Sequence, residues 1–110
     1  MAYFMVQVAY TPEAIAGMVK NPEDRAAAAR APFEKLGGKL EGFWFALGDY
    51  DVVLVAQMPD SVSVAAVAMV ASQTGQFKAY KTTPLLTAQE AMQAMKKAGT
   101  VAFKAPGKPN

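Results

Sequence analysis

Asp51 is the side chain of this sequence best placed to do chemistry, because it closes the cluster Gly48-Asp49-Tyr50-Asp51 between two strongly apolar runs, Gly42 to Leu47 and Val52 to Val55. A carboxylate at a cavity mouth acts as a general base when loss of solvent raises its pKa. Tyr3 and Trp44 offer aromatic faces to position a planar ligand, and Gln7 and Gln57 offer hydrogen-bonding amides. The same cluster also reads as a plain turn, with Gly48 and Asp49 taking unusual dihedrals, Tyr50 packing at a sheet edge and Asp51 accepting backbone N–H groups.

The chain contains no cysteine and no histidine. That excludes disulfides, thiolate nucleophiles, imidazole bases, the usual zinc sites and haem held through His or Cys. Its Asp and Glu residues are scattered without the spacing of a metal loop, so no metal or other cofactor is expected. Any catalysis is then cofactor-independent proton transfer or oxygenation with Asp51 as base.

At 110 residues, 53% hydrophobic and 18% charged with a net charge of +2, the chain suits one globular domain that leans apolar for its size. The run Ala2 to Tyr10 lacks the basic start and cleavage pattern of an export signal, and no stretch has the roughly 18 apolar residues of a membrane span, so a cytoplasmic protein without membrane contact is expected. Residues 1–77 hold five Lys/Arg against eight Asp/Glu, a balance of −3, and residues 78–110 hold six Lys against one Glu, +5. Lys78, Lys81, Lys96 and Lys97 form a modest basic patch that reads as a solubility feature or a weak attractor of anions. Glu41 to Leu47 echoes an RNA-stacking motif, but its first position is acidic, Trp44 replaces a small residue, and it lies on strand two rather than three. No nucleic-acid partner is expected.

Aromatic and β-branched residues from Tyr3 to Tyr10 predict strand one, ended by the helix cap and first-turn proline of Thr11-Pro12. Asn21 starts a second helical stretch through Ala26 to Leu36, kinked at Pro32 and stopped by Gly37-Gly38. Strands two and three form the Gly42 to Val55 hairpin, a helix covers Val62 to Thr74, and Phe77 to Thr83 is strand four. Thr87 and Glu90 have the spacing of a capping box that begins a last helix ending near Ala98. The order predicts an α+β, ferredoxin-like βαββαβ fold with an extra C-terminal helix and a four-stranded antiparallel sheet. Its domain spans residues 1–98, followed by a basic Lys/Pro/Gly tail over 99–110.

Alternation places Phe4, Val6 and Val8 with Phe43, Phe45, Leu47, Tyr50, Val52, Leu54 and Ala56 on the helix-covered face. The opposite face takes Tyr3, Met5 and Gln7 with Leu40, Trp44, Ala46, Asp51, Val53, Val55 and Gln57, provided that the hairpin loop has four residues. Exposing about six apolar side chains there forgoes on the order of 10 kcal/mol, comparable with the association cost of about 4–15 kcal/mol, so homodimerisation of sheet on sheet is expected. The almost uniformly apolar helix Val62 to Ala71 also needs a cover, either the last helix or another protomer.

The segments Leu36-Gly37-Gly38-Lys39-Leu40, Gly42-Phe43-Trp44, Gly48-Asp49-Tyr50-Asp51-Val52-Val53 and Pro59-Asp60 resemble the GYD-domain family of small prokaryotic proteins, across about residues 1–95. The signature Gly, Tyr and Asp fall on Gly48, Tyr50 and Asp51, with Asp49 intervening. The resemblance implies a dimeric α/β-barrel assembly and no assigned activity. Three functions follow as expectations. The first is a homo-oligomer binding a small, mostly apolar molecule in a cavity by the open face, lined by Tyr3, Gln7, Trp44, Asp51 and Gln57. The second is the Asp51-dependent enzyme, and the third a structural assembly module.

Overall fold

Thr11 and Pro12 turn the chain from strand to helix, as their types predict. In the computed structural model, which describes residues 1–109, β1 (Ala2–Tyr10) leads into α1 (Pro12–Lys20), and the Thr11 hydroxyl accepts the N–H of Ala14 at 3.2 Å. Asn21, expected to cap the next helix, instead ends α1. Asp24 caps α2 (Arg25–Lys35), its Oδ1 accepting from Ala26 and Ala27. A carboxylate that meets two free N–H groups at the positive end of the helix dipole is the stronger cap. There follow β2 (Lys39–Phe45), β3 (Val52–Met58), α3 (Ser61–Ser72), β4 (Phe77–Leu85) and α4 (Ala88–Ala98).

The four strands form one antiparallel sheet in the order β2-β3-β1-β4. Pro84 is tolerated because β4 is an edge strand, with no ladder partner on its outer side. Phe4, Val6 and Val8 of β1 and Val52, Leu54, Ala56 and Met58 of β3 are buried on one side, where Phe33 of α2 and Val64 and Val67 of α3 cover them. That is the core the alternation predicts for the two central strands.

The edge strand β2 departs from the expected faces. Its register against β3 shifts between Leu40 and Gly42, so the extra residue Glu41 turns Leu40 to the core, opposite Ala56. Phe45 and Leu47, expected in the core, are exposed, because β2 ends at Phe45 and Leu47 belongs to the turn. The turn itself has the four residues that parity requires: Phe45 pairs with Val52, and the Ala46 N–H donates to the Asp51 carbonyl at 2.8 Å.

Two glycines allow close approaches. The indole of Trp44 folds back over Gly42, where any Cβ would run into the ring. Gly38 sits where the end of α2 meets β3, and a Cβ there would collide with the Met58 sulfur and the Gln57 carbonyl oxygen and lie 3.2 Å from the Phe33 carbonyl oxygen.

The helices α3 and α4 are less covered than their composition demands. Only Val64 and Val67 of α3 are buried, leaving Val62 and Met69 exposed, and no residue of α4 is buried. Of the two covers expected for α3, the last helix does not supply one within the chain. The radius of gyration is 18.2 Å and the longest extent 63 Å, against about 13 Å for a compact chain near this length.

Because two of the atoms facing Gly38 are backbone carbonyls, Gly38→Ala is expected to destabilise the fold by about 1–3 kcal/mol, read as a lower urea midpoint at unchanged slope. An unchanged midpoint would show that α2 and β3 can separate there without cost.

Candidate functional site

Asp51 completes the sheet where the β3 backbone stops pairing regularly. Its N–H donates to the Val8 carbonyl at 2.8 Å, and its Oδ2 accepts the N–H of Tyr10 at 2.8 Å. The carboxylate thus stands in for a strand carbonyl at the end of β1, next to Thr11, which caps α1. Tyr10 is buried, with its ring 5.3 Å from that of Phe77 and 6.4 Å from that of Phe45. Asp51 therefore holds the corner where strand gives way to helix, which is the turn role that its cluster also predicts.

Tyr3, Gln7, Trp44 and Gln57 lie on the helix-free face, spread along the sheet. Tyr3 pairs with Gln57, while Gln7 and Trp44 flank Val53 from opposite sides. Tyr3 and Gln7 are four residues apart, roughly 13 Å along a strand, and Trp44 is two strands from Gln7, roughly 10 Å away. Gln57 is already engaged, its Nε2 donating to Glu41 Oε1 at 2.6 Å beside the bulge. Within one chain these residues make a flat, partly polar surface.

A half-open cavity of the single chain lies on the other side of the sheet, under the helices. It measures 590 Å³ and lies between the sheet and helices α1, α2 and α3. Val6, Val8, Val52 and Leu54 form its floor, Phe77 and Tyr80 one wall, and Met18, Ala28, Ala29 and Phe33 part of its helical roof. Glu13, Glu23, Arg25 and Gln76 add polar groups. The space has a simple origin in the sequence. Helix α2 reads Arg-Ala-Ala-Ala-Ala-Arg-Ala before Pro32 and buries only Phe33, so its methyl side chains stop short of the sheet.

Two lining residues give the cavity its chemistry. Arg25 pairs through Nη1 with Glu23 Oε1 at 3.5 Å, but its Nε is buried with no hydrogen-bond partner. A charged donor left so costs about 1–3 kcal/mol or more, which an oxygen acceptor within reach would offset. Burial pushes the phenol of Tyr80 from its ordinary 10 up to about 12, so it stays a neutral donor at physiological pH. Neither residue stood out in the sequence: Arg25 lies in a mixed-charge stretch that reads as a solvated face, and Tyr80 reads as a strand residue. The four consecutive alanines opposite a sheet were the available signal.

A sheet in the order β2-β3-β1-β4 with helices packed on one face defines a ferredoxin-like α+β protein. The family model of the GYD domain matches residues 4–95, and the chain belongs to that family. The fold is also similar to that in the crystal structure of MtbAldR, with a TM-score of 0.57 and 14% identity over 78% of this chain and 52% of that one. That likeness concerns the fold alone, and this chain spans about half of the length of MtbAldR. No curated protein matches the sequence. Among the described residues, no group of His, Cys, Asp and Glu could hold a metal ion, and no helix is long and apolar enough to cross a membrane.

Asp51→Ala, which removes the acceptor for the Tyr10 N–H, is expected to lower the unfolding free energy by about 1.5–3 kcal/mol, and Asp51→Asn, which keeps an oxygen there, by clearly less. Urea unfolding of the two variants measures the difference; equal losses would mean that charge rather than the bond matters. Tyr80 makes a pH prediction of its own. Since its folded pKa is raised, the neutral phenol favours the folded state, and that contribution is complete below pH 10 and is lost as pH climbs from about 10 to about 12. Unfolding measured at pH 9 and pH 11.5 should show a larger drop for the natural protein than for Tyr80→Phe.

Proposed function

We propose that this protein is a homo-oligomeric binder of a small, mostly apolar molecule that carries a hydrogen-bond-accepting end, and that the molecule occupies the space between the sheet and helices α1, α2 and α3. The observation that carries the reading is the 590 Å³ half-open cavity, surrounded by apolar side chains of the sheet and the helices with Arg25 and Tyr80 among its lining residues. Ligand pockets typically measure about 300–1,000 Å³ and combine apolar walls with a few polar groups. The aromatic rings of Phe33, Phe77 and Tyr80 suit a flat or aliphatic body, and Arg25 and Tyr80 suit an oxygen at its end.

The oligomeric half of the proposal rests on the helix-free face, where Met5, Val53 and Val55 lie between Tyr3 and Trp44 and no helix covers them. Pairing with a copy would remove that apolar surface from water. Catalysis by Asp51 draws no support from the geometry, because one carboxylate oxygen is spent on the Tyr10 N–H and the residue does not line the cavity.

Gly17→Trp tests the location. Gly17 lines the cavity, and a Cβ there meets nothing within 4 Å, so an indole has room to enter the ligand's space. Titration with 1-anilinonaphthalene-8-sulfonate, an apolar probe with an anionic end, is expected to show binding to the natural protein and to Gln7→Ala, and its loss in Gly17→Trp. Loss in Gln7→Ala with retention in Gly17→Trp would move the site to the open face.

A further inference from the structure

The bare face of α3 and the bare face of α4 have the same shape. On α3, Val62, Ala65, Ala66 and Met69 follow the i, i+3, i+4, i+7 spacing that aligns side chains along one stripe, and Val62 and Met69 are exposed. On α4, Ala88, Ala91, Met92 and Met95 follow the same spacing, with Met92 and Met95 exposed. Beside the α3 stripe runs an apolar groove of 420 Å³, lined by Ala65, Ala68 and Met69 of α3 and Thr82 and Pro84 of β4. Alanines let two helices approach closely, and methionines fill an irregular gap.

The chain cannot easily bring its own α4 into that groove. Only Leu86 and Thr87 separate β4 from α4. Thr87 is locked in a capping box, its hydroxyl accepting the Glu90 N–H at 3.1 Å while the Glu90 carboxylate accepts the Thr87 N–H at 2.9 Å. The start of the helix is thereby fixed two residues after β4, and no residue of α4 is buried against the body. Local charge points to a copy of the same chain as the partner: Lys96 and Lys97 lie in the last turn of α4, and Asp60, the exposed cap of α3, is the charged residue at the start of the groove.

We propose that α4 of one copy docks in the α3–β4 groove of a second copy, and that the exchange is reciprocal about a two-fold axis. The helices match in length, 11 residues in α4 and 12 in α3. Packed antiparallel, they bring Lys96 and Lys97 toward Asp60, the exposed cap of α3, and Met92 and Met95 onto Ala65 and Met69. This contact is independent of the open sheet face and of the cavity, so it stands or falls separately from them.

Because the chain has no cysteine, a disulfide can be placed without ambiguity. Met69→Cys and Met92→Cys proteins, each natural elsewhere, are mixed in equal amounts and oxidised. The expected result is a covalent dimer joining position 69 of one chain to position 92 of the other, assigned by peptide mass spectrometry. Adding Met95→Glu to the Met92→Cys chain should abolish that product while leaving the far-UV circular dichroism of the folded chain unchanged, since Met95 is exposed within its own chain. Two outcomes overturn the proposal: no 69–92 product in the mixture, or, in a chain carrying both cysteines at high dilution, a 69–92 bond closed within one monomer.

Discussion

The antiparallel pairing of β1 with β3 is the constraint on which the rest of the structure depends. Phe4 faces Ala56, Val6 faces Leu54 and Val8 faces Val52, all on one side, so a single register sorts every neighbouring residue into a covered or an uncovered face. A slip by one residue would exchange the two. The register ends at Asp51, whose backbone and carboxylate both bond to β1 and hold its last residues beside the start of α1. In this structure the residue with the best apparent chemistry serves as the closing bond of the sheet.

Once the faces are set, the length of the side chains above them decides what the protein can do. Phe33, Val64 and Val67 reach the sheet and seal it. The alanines of α2 do not, and the cavity is the difference. A small domain tolerates such a gap only at a cost in packing, since unfilled space forfeits the contacts of its lining atoms.

Much of this was legible in the sequence. The element order, the caps at Thr11 and Thr87 and the covered rows of β1 and β3 all follow from local rules of alternation and capping, while the length of the hairpin turn was a condition that the structure meets. The misreadings have specific causes. Leu40 changed face because one extra residue, Glu41, enters an edge strand as a bulge, and nothing in the alternation of an isolated strand marks where a ladder will slip. The cap of α2 moved from Asn21 to Asp24 because two competing cap residues stood three apart. Beyond the run Ala26 to Ala29 no signal in the sequence marks the cavity under the helices, because alanine reads as a helix former rather than as a pocket wall.

The proposed oligomer requires the uncovered face of the sheet to be apolar enough to be met by a copy of the chain. Trp44 is the single tryptophan, lies on that face over Gly42, and is 56% exposed in one chain. Its iodide quenching across a dilution series is the most direct test: shielding at high concentration should give way to strong quenching on dilution, in step with a fall in sedimenting mass. A tryptophan fully open to iodide at the highest concentration, in a particle with the mass of one chain, would contradict it.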